Sequence, residues 1–205
     1  MKLQLQKCLL ATVAGVSLLS GCAPLVVGGA VVGGLVAVDR RTSGTQVEDE
    51  AIELKVANAI NKEMGERVHL NVTSYNRRVL LTGEVASDAD RSRITQLAQS
   101  QENVKNVIND LAIGDASSLS QRTKDTVTTG QVKAAFVDAK DLQSSAVKVV
   151  TERGIVYLMG RVTAREAQRA TDVARGTSGV VKVVKVFEEI SEQELQRLSQ
   201  PPLSR

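Results

Sequence analysis

One apolar pattern occurs twice in this chain, and a repeat of this length constrains the fold more strongly than any other feature. The segment VLLTGEV at residues 79–85 returns 77 residues later as VYLMGRV at 156–162. Upstream, HLNVT at 69–73 returns as AVKVV at 146–150 with the same offset. Beyond Gly83 the second copy is one residue shorter, so the offset becomes 76. The sequence therefore predicts two copies of one domain.

Each copy follows the order helix, strand, strand, helix, strand. In the first copy, Thr45 and Glu48 have capping-box spacing, and the helix that follows places Ile52, Val56 and Ile60 on one face. Alternation at 68–72 and the run at 79–85 predict two strands, and Gly83 indicates a bulge or a close backbone approach. A second helix is predicted over 87–98 and a third strand over 104–113. The second copy repeats this with a turn at 152–154, a helix over 163–174 and a strand over 180–187.

The fold class that follows is α+β, with two tandem αββαβ domains, each a three-stranded mixed sheet packed by two helices. The predicted boundaries are 45–113 for the first domain, 114–121 for a Ser/Gly/Asp-rich linker and 122–190 for the second domain. Residues 191–205 form a peripheral tail, in which a short charged helix begins near Ser191 and stops before Pro201.

The amino terminus has the features of an export signal. Lys2 and Lys7 precede an apolar run over 8–19, which is shorter than the roughly 20 residues that span a bilayer. The sequence Leu-Ser-Gly-Cys at 19–22 resembles the lipobox of bacterial lipoproteins. This resemblance implies cleavage after residue 21 and acylation of Cys22, and Ala23 beside it implies transfer to the outer membrane. An ordinary signal peptide or an uncleaved membrane anchor are the alternatives.

Two observations fit the lipobox interpretation. Cys8 lies inside the predicted signal peptide, so Cys22 would have no intramolecular disulfide partner in the mature chain. The next residues, APLVVGGAVVGGLVAV at 23–38, carry four glycines and make a poor membrane-spanning helix. We therefore predict that residues 22–44 form a flexible tether of roughly 25 Å end to end.

Composition argues against nucleic-acid binding. Cleavage after residue 21 removes Lys2 and Lys7, so that 26 basic residues become 24 against 23 acidic ones and the net charge falls to +1. The chain has two Tyr, two Phe and no Trp, which leaves no aromatic platform for base stacking.

The sequence also predicts a protein without catalytic activity, cofactor or metal. His69, the single histidine, lies in a predicted strand with no cluster of cysteines or carboxylates at ligand spacing, and we expect it to be solvated. Acidic residues such as Asp49 and Asp88 lie at predicted helix starts, where the helix dipole and solvation account for them. Sequences typical of hydrolases, metalloproteases and phosphate-binding loops are not found.

The first helix of the second copy carries more apolar residues than its own core needs. Alignment with the first copy assigns Thr128, Val132, Ala135 and Phe136 to the core. On a different helical face lie four small or apolar residues, which are Val127, Gly130, Ala134 and Val137. Beside them lies a row of three cations, which are Arg122, Lys133 and Lys140. An apolar stripe edged by cations suits an anionic lipid surface. Packing of the stripe against the first domain, the linker or the tail is the alternative.

The αββαβ order, the V-x-L-x-G-x-V strand and the Val-x-x-Val start of the last strand resemble the BON domain of bacterial envelope proteins. A lipobox followed by two such domains is the layout of dual BON-domain outer-membrane lipoproteins of the DolP/YraP family. The resemblance implies a periplasm-facing lipoprotein that supports outer-membrane integrity, in which the first helix of the second domain contacts phospholipid. Relatives have a Trp near the start of that helix, where this chain has Val127. The alternative function is an adaptor or chaperone-like partner of the outer-membrane assembly machinery.

Overall fold

The computed structural model of the chain describes residues 39–65 and 68–198, so the predicted signal peptide, Cys22 and most of the predicted tether lie outside the described residues. The elements follow in chain order: α1 Ser43–Met64, β1 His69–Tyr75, β2 Arg78–Val85, α2 Asp88–Gln99, β3 Asn106–Asn109, β4 Ala112–Ile113, α3 Leu119–Asp138, a short 3₁₀ helix Ser144–Ala146, β5 Lys148–Glu152, β6 Ile155–Val162, α4 Ala164–Arg175, β7 Lys182–Glu189 and α5 Glu192–Leu198.

The two sheets have the same topology, which confirms the predicted fold class. In the first, β1 pairs antiparallel with β2, and β2 pairs in parallel with β3 and β4. In the second, β5 pairs antiparallel with β6, and β6 pairs in parallel with β7. The predicted third strand of the first domain is interrupted because Leu111 turns into the core, and its amide donates to the Asn109 side chain at 3.0 Å.

Each domain buries one face of its sheet under its two helices. The core of the first domain includes Ile52, Val56 and Ile60 from α1 and Ile94 from α2. In the second domain, Val132 and Phe136 of α3 lie in the corresponding core. These helical positions are the ones that the repeat assigned to the interior.

The other faces of the two sheets pack against each other, which the sequence analysis did not predict. Tyr75, Leu80, Tyr157, Met159 and Val186 form one buried cluster drawn from both domains. Leu80 and Tyr157 occupy the same position of the repeat. Because both faces of β2 and β6 are covered, these strands are buried along most of their length.

Gly83 and Gly160 allow two backbone segments to approach each other in each domain. A Cβ atom at Gly83 would lie 2.0 Å from the carbonyl oxygen of His69, and one at Gly160 would lie 2.3 Å from that of Ala146. Gly83 also has a φ of +121°, which other residues rarely adopt. The close approach predicted from the sequence is therefore confirmed.

The helices that follow the predicted tether and the predicted linker both begin earlier than the sequence predicted. Helix α1 begins at Ser43 with Thr42 as its N-cap, because the Thr42 hydroxyl accepts a hydrogen bond from the Thr45 amide at 3.2 Å. The prediction that the flexible tether extends to Gly44, with a cap at Thr45, is therefore wrong at this end. Helix α3 begins at Leu119 and not at residue 122, so the connection between the domains spans only 114–118.

The carboxyl-terminal helix α5 contacts the second domain through Glu194, which pairs with Arg161 at 2.5 Å. Pro201, which we expected to follow this helix, lies outside the described residues. No helix within 39–65 and 68–198 combines the length and the apolar character that crossing a membrane requires.

Candidate functional site

Helix α3 presents one face to its own core and the opposite face to solvent. Its N-cap is Ser118, whose hydroxyl accepts from the Gln121 amide at 3.2 Å. The buried face consists of Asp125, Thr128, Val132 and Phe136. At about 100° per residue, the residues on the opposite side fall within an arc of about 80°. We call this side the exposed apolar face, and it consists of Leu119, Thr123, Val127, Gly130, Ala134 and Val137.

All of the apolar site residues predicted from the sequence lie on this face and are exposed. Val127 is 54% exposed and Val137 is 69% exposed, and Gly130 and Ala134 are also accessible. Leu119, at the start of the helix, is 81% exposed and extends the face by two turns. The interface between the domains is formed by the sheets, so the face is not packed against the first domain.

Val181 enlarges the apolar surface and was missed by the sequence analysis. It is 81% exposed and lines, together with Val127, a cleft of about 470 Å³ beside α3. Lys124, Arg153 and Gly154 also line this cleft. The dipeptide Val180-Val181 could have indicated this exposure from the sequence. Val180 packs on the core, and because successive side chains of an extended segment point to opposite sides, Val181 faces outward.

Cations flank the exposed apolar face on two sides. Arg122 and Lys133 are exposed on one flank, as predicted. Lys124 and Arg153 lie on the other, at the cleft. Lys140 is exposed, but α3 ends at Asp138, so the helical angle that placed Lys140 in the same row does not apply and that part of the prediction is wrong.

The corresponding helix of the first domain has a weaker apolar surface. On α1, Val47 and Leu54 are each 66% exposed. Asn58 and Asn61 occupy the positions that Ala134 and Val137 occupy on α3, and both are exposed. The asymmetry between the copies therefore persists in the folded protein.

Asp125 fixes the cleft by joining α3 to the turn between β5 and β6. Its carboxylate accepts hydrogen bonds from the backbone amides of Arg153 and Gly154, both at 2.8 Å. Residues 153 and 154 both have positive φ, which is typical of a tight hairpin turn. This arrangement holds Arg153 beside Val127 and Val181.

Asp49 makes the same connection in the first domain, which corrects its interpretation as a solvated residue at a helix start. It is buried and accepts from the amides of Asn76 and Arg77 at 2.8 and 2.7 Å and from the Ser74 hydroxyl at 2.7 Å. Burial alone would raise the pKa of Asp49, but these hydrogen bonds and that from Arg41 outweigh it and lower the pKa.

His69 is also placed differently from the prediction. Its side chain is only 17% exposed, and its Nδ1 atom lies 2.8 Å from Oε2 of Glu84. Glu152 of the second domain lies close to both residues. The expectation of a solvated His69 without a carboxylate cluster at ligand spacing is therefore wrong, because strand pairing and domain packing bring together residues that are distant in sequence.

Comparison with known proteins identifies the repeated unit. The BON domain family matches residues 48–115 and 124–189. Outer membrane lipoprotein DolP of Haemophilus influenzae is 43% identical over 172 residues, which cover 82% of this chain and 89% of that protein. The 21 kDa hemolysin of Actinobacillus pleuropneumoniae is 34% identical over a region that covers 73% of this chain and 78% of the hemolysin. Osmotically-inducible protein Y of Escherichia coli K12 is 31% identical, with 68% and 72% covered.

Proposed function

Because this chain belongs to the family of dual BON-domain outer-membrane lipoproteins related to DolP, we propose that it is a non-enzymatic lipoprotein that binds anionic phospholipid and supports outer-membrane integrity. The names of its relatives and its domain family support an envelope-associated protein without catalytic activity. In this proposal Cys22 carries the acyl anchor and the two domains face the periplasm. The exposed apolar face of α3, together with Val181, contacts the membrane surface.

The observation that carries this proposal is the group of large aliphatic side chains left in solvent on one side of the second domain. Leu119, Val127, Val137 and Val181 expose half or more of their surface. Isolated exposed aliphatic residues are common, but a cluster of them edged by cations marks an interaction surface. Arg122, Lys124, Lys133 and Arg153 supply that edge and suit anionic headgroups.

The free energies of membrane contact indicate that this surface orients the protein and does not anchor it. A partly buried valine contributes at most about 1.5 kcal/mol, and each cation near an anionic surface contributes about 1 kcal/mol. An acyl chain contributes about 0.8 kcal/mol for each buried methylene and dominates attachment. A tethered helix samples the membrane at an effective concentration on the order of millimolar, so weak lipid contacts are sufficient to select an orientation.

Acylation is tested by Cys22→Ser. Serine has a similar size but lacks the thiol that receives the diacylglyceryl group, so we expect complete loss of incorporated label when cells are fed a palmitate analogue. Label that survives in the Cys22→Ser protein would rule out this cysteine as the lipid attachment site.

Lipid binding is tested by Val137→Glu, measured by co-sedimentation with liposomes that contain or lack anionic lipid. A soluble version should begin at Asp39, because Arg40 and Arg41 pair with the folded domains. Val137→Glu removes an apolar contact and adds a repelled charge, so binding to anionic liposomes should fall. The melting temperature should hardly change, because the side chain is exposed.

The matched control is Leu54→Glu, which places the same charge on the corresponding helix of the first domain at nearly equal exposure. This variant should bind liposomes like the wild type. Val132→Glu, on the buried face, should instead unfold the second domain, because an unpaired charge would be buried. Normal liposome binding by a stable Val137→Glu protein would contradict the proposal and favour the adaptor function, in which the same face docks a protein.

A further inference from the structure

One histidine and two glutamate side chains meet where the two domains join. His69 and Glu84 face each other on paired strands β1 and β2, with Nδ1 2.8 Å from Oε2. Glu152 reaches them from the end of β5 in the second domain. One potential ligand atom from each residue lies within 4.8 Å of the other two. The cluster therefore requires the folded, packed arrangement of both domains.

Both carboxylates are buried without a full charge partner. Glu84 is 3% exposed and Glu152 is 5% exposed. Oε1 of Glu84 is buried and has no hydrogen-bond partner among residues 39–65 and 68–198. Within those same residues, no Lys or Arg forms an ion pair with either carboxylate. Burial raises the pKa of Glu152, as expected for a charge that its surroundings do not compensate.

We propose that His69, Glu84 and Glu152 bind one divalent transition-metal ion of the zinc class and thereby fasten the first domain to the second. Two carboxylates and a neutral imidazole would balance the charge of such an ion. The unpaired Oε1 of Glu84 would gain the partner that it lacks within the protein.

The ligand set favours zinc over calcium or magnesium. Imidazole nitrogen combined with carboxylate oxygen suits zinc, copper and nickel, whereas calcium and magnesium prefer six or more oxygen ligands. Bonds of about 2.1 Å in a tetrahedral site place ligand atoms about 3.4 Å apart. The three ligand atoms of the cluster lie within 4.8 Å of one another, so each separation would have to change by about 1.4 Å or less to reach this spacing.

Neighbouring groups already orient the two carboxylates. The Asn71 side-chain amide donates to Oε2 of Glu152 at 2.6 Å, and the Ser117 amide donates to Oε2 of Glu84 at 3.0 Å. Such outer hydrogen bonds typically hold metal-binding carboxylates in place. A polar cleft of about 340 Å³, lined by His69, Asn71 and Glu152 among others, gives water and an ion access to the cluster.

A metal ion bound at this site would also affect the position of the exposed apolar face of α3. Glu152 directly precedes Arg153, which lies in the turn held by Asp125 and lines the apolar cleft beside α3. A metal ion at Glu152 would therefore fix the second domain, with its exposed apolar face, relative to the first. This inference does not depend on lipid binding itself.

The test uses the full acylated chain in detergent, stripped of metal with a chelator and dialysed. Zinc chloride should bind at one ion per chain by calorimetry, and should raise the melting temperature by about 5–10 °C at a free concentration of 100 times Kd. Glu152→Gln should abolish both effects. Its amide oxygen can still accept from Asn71, so the metal-free variant should fold and melt at or above the wild-type temperature.

Glu102→Gln is the matched control, because Glu102 is an exposed carboxylate paired with Lys55, and this variant should respond to zinc like the wild type. His69→Asn is a second variant in case Glu152→Gln fails to fold, and it should also lose the response. The proposal is overturned if the wild type shows no stoichiometric zinc binding, or if Glu152→Gln and His69→Asn respond normally. An equal response to magnesium or calcium would also overturn it, since that would indicate general relief of charge.

Discussion

At the scale of single residues, Asp49 and Asp125 hold equivalent turns in the two domains. Each carboxylate reaches from the first helix of its domain to two successive backbone amides of the hairpin that follows. Those amides belong to turn residues with positive φ, and they cannot pair with each other because both are hydrogen-bond donors. A buried aspartate therefore links helix and sheet in both copies, and in the second copy it also positions Arg153 at the cleft.

The charge of Asp49 should make the first domain sensitive to acid. Its pKa is lowered in the folded state, so its stabilising contribution is complete above the unfolded value near 3.9 and is lost as the pH falls through the folded value. We expect Asp49→Asn to cost about 2–3 kcal/mol at neutral pH, because the amide cannot accept all of these hydrogen bonds. Urea denaturation between pH 7 and 3 should show this difference shrinking at acid pH. A difference that stays constant with pH would contradict the assigned role of the charge.

At the scale of elements, the repeat predicted the helices and strands well because the two copies constrain each other. Val132 and Phe136 were assigned to the core because Val56 and Ile60 align with them, and all four are buried. The same alignment distinguished Val137 from core residues, although both kinds are apolar. A single copy would not have separated these two faces.

Contacts between elements were harder to predict than the elements themselves. The strand runs at 79–85 and 156–162 contain consecutive apolar residues, a pattern typical of strands covered on both faces. That pattern indicates a second packed face but does not identify what covers it. Glu84 and Glu152 likewise reach His69 only through strand pairing and domain packing, so sequence spacing carried no signal for the cluster.

At the scale of the whole molecule, the segment 39–41 links the amino-terminal side of the chain to both domains. Arg40 donates to both oxygens of Glu166 in the second domain, at 2.8 and 2.6 Å. Arg41 pairs with Asp49 of the first domain at 2.8 Å and lies 4.2 Å from the centre of the Tyr75 ring. The described part of the chain therefore begins at a point that is fixed to both domains. Under the proposed function, this limits how an anchor at Cys22 could present α3 to a membrane.

Removing Arg40 should release this segment and destabilise the protein. Arg40 and Glu166 are both buried, with 7% of each side chain exposed, so Arg40→Ala would leave the Glu166 carboxylate buried without its charge partner. We expect a loss of about 3–5 kcal/mol, measured by chemical denaturation, together with faster hydrogen exchange at residues 39–42. The matched control is Arg169→Ala, which breaks an exposed pair with Asp141 and should cost less than about 1 kcal/mol. Equal stability losses in the two variants would show that the Arg40 pair does not hold the segment.

Under the proposed function, Arg40→Ala should also weaken binding of the anchored protein to anionic membranes, even where the protein remains folded. The reason is that the exit point of the chain would no longer be fixed relative to the exposed apolar face.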